Sequence, residues 1–259
     1  MRSEPAVDVR VKTFASGLRL YRLQLRFHKF GGSTMRFTLH KIWNTKSFFS
    51  SLLILLAWAA VGVAAQDETK ARDAWQQPDR VMDALGVKPG SAVGDIGAGG
   101  GYFTFHLARR VGPTGKVYAV DILEEEVKKI RERAESEKLK HVEAILGAKD
   151  DPKLPTEKLD AVLIVNAYHE MREYDAMLRA VFRALKPGGV LAIIDAPAPA
   201  GEAREKYYER HRIPETFVRE DAARDGFSFV RQEPGFHSPD RDRDYFFLIF
   251  RKPGAKTAN

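Results

Sequence analysis

Residues 91–103 read Ser-Ala-Val-Gly-Asp-Ile-Gly-Ala-Gly-Gly-Gly-Tyr-Phe, and no other stretch constrains the fold as tightly. A short apolar strand, Ala92 to Ile96, runs into Gly97, Gly99, Gly100 and Gly101, then into a helical stretch, Tyr102 to Arg110. Glycines here permit positive φ and let backbone N–H groups approach a ligand with no Cβ in the way. A strand, a glycine turn and a helix in that order place a ligand's polar end at the helix N-terminus. The ligand need not be a dinucleotide. That fingerprint wants a glycine three residues after its second glycine, and Tyr102 stands there. The spacing present is Asp95-x-Gly97-x-Gly99-x-Gly101.

From Gln66 onward strands alternate with helices. Thr69 to Leu85 reads as a helix interrupted at Pro78, because a proline disfavours helix at the residue before it. Lys116 to Val120 is a second strand ending at Asp121, and Glu124 to Lys138 is a helix with Glu124→Lys128 and Glu125→Lys129 pairs. Val142 to Leu146 is a third strand. Leu159 to Val165 is continuously apolar, as expected of a strand buried on both faces of a parallel sheet. Tyr174 to Leu185 is a helix closed by the turn Lys186-Pro187-Gly188-Gly189, and Val190 to Ile194 is the fifth strand. Residues 203–225 read as helix broken at Pro214. Phe227 to Gln232 and Tyr245 to Arg251 follow with no full helix between them, so they should pair as a hairpin. Such alternation gives right-handed crossovers and a sheet covered on both faces.

The formal net charge of +7 points to a polyanionic partner only until it is divided along the chain. Ten of the 42 Lys/Arg and two of the 35 Asp/Glu precede Gln66, leaving the remainder at −1. The excess belongs to the leader, and no nucleic-acid partner is expected. Within residues 35–65, Arg36, Lys41 and Lys46 precede an apolar run from Phe48 to Ala65 that ends Val63-Ala64-Ala65. Basic, apolar and small residues in that order predict a signal peptide cleaved after Ala65, with export to the periplasm. The alternative is an uncleaved anchor, since the run is near the ~18-residue lower limit for a span; only then would residues 35–65 bring the protein to a membrane. Residues 1–34 are expected to be an over-long, disordered extension, leaving 66–259 as the folded domain. The chain has no cysteine, so an exported domain must hold together without disulfides and without thiolate chemistry.

Several motifs now carry a resemblance. Val93 to Gly101 resembles motif I of the class I S-adenosylmethionine (SAM) methyltransferases, and Arg183-Ala184-Leu185-Lys186-Pro187-Gly188-Gly189-Val190-Leu191 resembles that family's turn into its fifth strand. Within the family the likeness is to the branch of quinone-biosynthesis methyltransferases and their exported relatives. It implies an α/β, Rossmann-like fold: a seven-stranded, mostly parallel sheet with a C-terminal antiparallel hairpin and helices on both faces. It also implies SAM as cofactor, held by Asp95, Gly97, Ala98, Gly99 and Gly101 in the loop and by Asp121 and Ile122 at the second strand's end. Asp150, after the third strand, matches the adenine acid. Asn166, Tyr168 and His169 fall where the family meets the methyl group and its acceptor, with Asn166 as a cofactor-pocket residue and His169 and Tyr168 as catalytic candidates.

The residue types suit these roles. Asp121 lies ~20 residues beyond the glycine loop, the distance at which such folds place a ribose acid, and a carboxylate accepts two hydrogen bonds from a diol at once. His169 titrates near neutral pH and is the expected base where the nucleophile is a hydroxyl or an acidic carbon. Each residue also has a plainer reading. Asp95 can serve a helix terminus, Asp121 can be a solvated strand-end acid, and Asp150 or Asp151 can be turn formers before Pro152. Tyr168 and His169 can be packing or capping residues. Trp75 and Arg80 either close over the cofactor or belong elsewhere, and His211 with the charged run Arg204 to Arg210 is either a lid or a solvated helix face. No His/Asp/Glu cluster has metal-ligand spacing, so no metal is expected. The expected acceptor is a small molecule attacked at oxygen or carbon. The alternative is a protein that binds SAM or a nucleoside-like ligand without turnover.

Overall fold

The computed structural model describes residues 6–13, 19–26, 35–38 and 70–254. The chain divides into two units, Met1–Gln66 and Asp67–Asn259. In the first, β1 (Ala6–Thr13), β2 (Arg19–Arg26) and β3 (Met35–Thr38) form an antiparallel sheet in that order. Val7, Val9 and Val11 alternate with Asp8, Arg10 and Lys12, a two-residue period that belongs to strands. Of the expected signal segment only β3 falls among the described residues; the apolar run and the cleavage site lie outside them. Among the described residues no helix is long and apolar enough to cross a membrane.

The second unit opens with α1 (residues 70–76) and α2 (Pro78–Ala84), separated by Gln77 in a left-handed conformation, φ 47°. The expected break at Pro78 is there. Then come β4 (Ala92–Ile96), α3 (Tyr102–Val111), β5 (Lys116–Asp121), α4 (Glu124–Ser136), β6 (Val142–Leu146) and β7 (Leu159–Val165). After a short 3-10 turn, Tyr168–Glu170, follow α5 (Tyr174–Ala184), β8 (Leu185–Asp195), α6 (Glu205–Glu209), α7 (Glu215–Arg224), β9 (Ser228–Ser238) and β10 (Arg243–Arg251).

The seven strands run in the order β6-β5-β4-β7-β8-β10-β9. Strands β4 to β8 are parallel, and β10 pairs antiparallel with both β8 and β9. This is the expected Rossmann-like architecture with its terminal hairpin. Both faces are covered. Leu159, Val162, Ile164, Leu178, Val181 and Leu248 share one buried cluster, whereas Val93, Ala161, Leu163, Leu107 and Phe247 share another. Alternate residues of β7 thus feed opposite layers, which is why its sequence is apolar throughout.

One element differs from the reading of the sequence. The turn Lys186 to Gly189 lies inside β8, as a looped-out insertion: Leu159 pairs with Leu185, and two residues on Ala161 pairs with Val190. Gly188 takes φ 81° there and donates its N–H to the Lys252 carbonyl.

The strand order reverses at β4, whose neighbours β5 and β7 lead away in opposite directions. Loops leaving the carboxyl ends of β4 and β7 therefore part and leave a crevice, the place where open α/β sheets receive ligands.

Candidate functional site

The glycine loop is bound into the sheet from below. Gly97 and Ala98 both donate N–H groups to the Val120 carbonyl at 2.9 and 3.0 Å, and Gly101 donates to Ala98. Gly97 has φ 70°, and a Cβ on it would overlap the Ala167 Cβ, so the β4 loop and the β7 loop touch at this point. Gly99, φ 52°, is different: a Cβ there would meet nothing within 4 Å. The loop is packed on one side and open on the other.

Asp121, the last residue of β5, latches the loop. One carboxylate oxygen accepts from the Gly99 N–H at 2.8 Å, the other from the Leu123 N–H at 3.0 Å. Each oxygen has two acceptor sites, so both remain able to take a hydroxyl. Beside it Ile122 and Leu123 are half-exposed although large and apolar. Leu146, register partner of Asp121 on β6, is exposed as well. Two strand ends therefore offer a greasy shelf next to a carboxylate. Asp150 is exposed beyond β6, while Asp151 is engaged in its own turn through the Lys153 N–H at 2.8 Å.

Asp95 is buried in β4, where its carboxylate accepts from the Thr104 hydroxyl at 2.6 Å. Burial pushes it up to about 6, the Thr104 bond opposes this, and the nearby Asp121 charge adds to it. Asn166 adopts φ 51°, which asparagine tolerates better than most residues, and its Oδ1 is buried without a hydrogen-bond partner. A buried orphan acceptor is costly. Together with the open face of Gly99 and the buried Asp95 carboxylate, it fits a ligand bearing a cationic amine and N–H or O–H donors. SAM has those groups, so the residues present fit it.

The two catalytic candidates part company. Tyr168 is fully buried, and its hydroxyl donates to Asp221 at 2.8 Å, a carboxylate also paired with Arg204 and Arg224. Burial and that carboxylate hold the phenol well above its usual range. It is a core residue. His169 lies at the sheet edge. Its Nδ1–H donates to Asp195 Oδ1 at 2.7 Å, and its backbone N–H donates to Asp195 Oδ2 at 3.0 Å. Nε2 lies 3.3 Å from His211 Nδ1 and 3.5 Å from Glu170 Oε1. Burial works to lower its pKa, but the hydrogen bonds to Asp195 and Glu170 outweigh it and raise the ring to about 9.

Asp195 ends β8 at 0% exposure, and the sequence reading missed it. An aspartate closing an apolar strand next to the strand bearing the candidate histidine was the available signal. Trp75 stacks on Tyr245 with ring centroids 5.7 Å apart. With Gln76, Phe103, Val165, Ile194 and Phe236 they line a narrow cleft with room for about one water. Arg80 sits over the Phe236 ring and hydrogen-bonds the Pro234 carbonyl.

The comparisons agree with this geometry. A family model described as a methyltransferase domain matches residues 87–222, just over half of the chain. The ubiquinone/menaquinone biosynthesis C-methyltransferase UbiE of Escherichia coli O1:K1 is 30% identical over 167 residues, 62% of this chain and 65% of the relative. The match thus spans just under two thirds of that relative's length. A SAM-dependent methyltransferase from Aquifex aeolicus is 28% identical with a TM-score of 0.57, covering 68% of this chain and 89% of that one. The YcgJ protein of Bacillus subtilis, 13% identical, shares the fold with a TM-score of 0.57 over 70% of this chain and 99% of its own.

Proposed function

The chain belongs to the class I SAM-dependent methyltransferases, in the branch related to quinone biosynthesis, and on that premise we propose that it methylates an oxygen or carbon nucleophile of a small molecule. The observation that carries this reading is the glycine loop latched by Asp121 across its mouth, with open space over Gly99.

SAM supplies an electrophilic methyl on a sulfonium, whose displacement needs alignment and a dry surround more than it needs acid or base. Asp121 would hold the ribose hydroxyls with its spare acceptor sites. Ile122 would cover the adenine, with Asp150 free to accept from the exocyclic amine. Asp95 and Asn166 would receive the polar groups of the methionine part, and Gly97, Ala98, Gly99 and Gly101 would pass beneath it without side chains in the way. His169, oriented by Asp195, is the candidate best supported to meet the acceptor's oxygen or its proton, since the Tyr168 hydroxyl is engaged with Asp221. The name of the Escherichia coli relative, a ubiquinone/menaquinone C-methyltransferase, supports a ring-type acceptor.

A second reading is favoured by one observation. The His169 side chain is 1% exposed, as in a site that binds without turning over. SAM binding with no methyl transfer to any of a panel of phenols and quinols would establish it. We also place the domain outside the cytoplasm, on the basic, apolar and small-residue order of residues 35–65.

The test is calorimetric titration of the full chain with SAM and S-adenosylhomocysteine, beside Asp121→Ala. We expect micromolar binding that weakens about 30-fold or more in the variant, the worth of one charge-assisted hydrogen bond. A folded protein that binds neither compound overturns the proposal.

A further inference from the structure

Spacing along the chain gave no metal site, because the fold makes it from residues 42 positions apart. Nε2 of His169, Nδ1 of His211 and Oε1 of Glu170 form a triangle with sides of 3.3, 3.3 and 3.5 Å. We propose that these three atoms bind a zinc-type divalent cation, leaving a fourth position open.

The triangle has the right size. A tetrahedral zinc with bonds of about 2.0–2.1 Å to nitrogen and oxygen sets its ligands about 3.3–3.4 Å apart. A six-coordinate magnesium with bonds of similar length sets adjacent ligands about 2.9 Å apart and prefers oxygen throughout. Two imidazoles and one carboxylate are the set that catalytic zinc sites use, and three protein ligands with one vacancy is their usual count.

The surroundings are those of a ligand set. A metal-bound histidine almost always donates its other ring N–H to a carboxylate, which fixes the ring and raises its basicity. Asp195 does this to His169 Nδ1 at 2.7 Å. Asp195 is itself fixed by the backbone N–H groups of His169 and Ala196. His211 holds a left-handed backbone, φ 49°, and its carbonyl accepts from Arg243 at 3.1 Å, so its ring is brought to the site by a conformation few residues adopt freely. His169 is enclosed, while Glu170 and His211 are each 62% exposed. The vacancy therefore faces solvent.

The site lies beyond the carboxyl ends of β7 and β8, the edge that also carries the glycine loop. An acceptor hydroxyl entering the open position would be polarised toward its oxyanion, its proton passing to water, before attack on the methyl. That last link rests on the methyl-transfer reading. The binding of the cation does not.

The experiment uses the tag-free full chain, stripped with a chelator and titrated with cobalt(II), then zinc. We expect one equivalent of cobalt to give the intense visible absorption of a four-coordinate ion and zinc to displace it. His211→Ala, at an exposed position, should abolish that absorption while leaving the circular dichroism spectrum and melting transition in place. Asp195→Asn, which keeps all three ligands, should weaken cobalt binding 10- to 100-fold. No four-coordinate absorption, or absorption unchanged in His211→Ala, overturns the proposal. SAM titrations of the same preparations separate the two readings: cobalt bound without SAM binding leaves the metal site and removes methyl transfer, and SAM bound without cobalt does the reverse.

Discussion

A carboxylate buried to the degree of Asp95 is expensive to keep ionised, even with the hydroxyl and backbone N–H of Thr104 to support it. Burial raises it to about 6, Asp121 adds to the shift, and Arg72 partly offsets it. An unfolded aspartate titrates near 3.9. Between the two values the folded chain holds a proton that the unfolded chain has lost. The contribution to stability is therefore full below the unfolded value and is lost as pH rises through about 6, on the order of 3 kcal/mol in all. Asp95→Asn keeps an acceptor for Thr104 and carries no charge. Urea unfolding at pH 4 and pH 8 should show the stability difference moving toward the variant by about 2–3 kcal/mol between them. The same charge is what a ligand's ammonium group would use. SAM affinity of the unaltered chain should thus fall as pH drops through about 6, and Asp95→Asn should bind weakly at every pH. An affinity indifferent to both would remove Asp95 from the ligand and leave it a loop-ordering residue.

At the level of elements, β4, its glycine loop and α3 form one unit clamped between β5 and the segment after β7. Gly97 and Gly99 distinguish the two sides of that clamp. Both have positive φ, so alanine at either costs about 1–2 kcal/mol for a left-handed backbone. At Gly97 the new methyl would also overlap the Ala167 Cβ, which forces β4 and the 166–170 segment apart. At Gly99 there is open space. Gly97→Ala should therefore lose clearly more stability by denaturant midpoint, while Gly99→Ala stays near the backbone cost and loses SAM affinity. Equal losses in the two variants would refute the contact with Ala167. This unit, its neighbour strands and Asp121 were legible in the sequence because their signals are local: a glycine spacing, an apolar run, an acid at a strand end. The buried run of β7 was legible for the same reason. For Tyr168 the packing and catalytic readings stood side by side because, past a strand end, sequence periodicity does not tell which layer a side chain enters. Asp195, 26 residues from His169, and His211, 42 residues from it, were not legible together, since only the parallel pairing of β7 with β8 and the 197–213 bridge bring them to one place.

For the whole molecule the informative quantity is where the charge lies. Residues 1–65 carry ten bases and two acids, while the remainder is nearly neutral. Basic residues ahead of an apolar run stay on the cytoplasmic side, and the chain beyond the run is translocated. A chain without cysteine would enter an oxidising compartment with nothing to mispair. Expressed from its own sequence in a Gram-negative host, the protein should be found in the periplasmic fraction with Gln66 as its N-terminal residue, by Edman sequencing or intact mass. Removing residues 35–65 should hold it in the cytoplasm with SAM affinity unchanged, because Asp95, the glycine loop and Asp121 all lie in the second unit. Membrane-bound protein that keeps residues 35–65 would make the segment an anchor and point to a lipid-soluble acceptor. Full-length protein in the cytosol would reject export altogether. Recovery from the periplasm carries a further consequence: SAM is made inside the cell, so the exported enzyme works only where the donor crosses the membrane too. Methylated acceptor should then appear outside the cytoplasm in cells expressing the intact chain, and not in cells expressing Asp121→Ala.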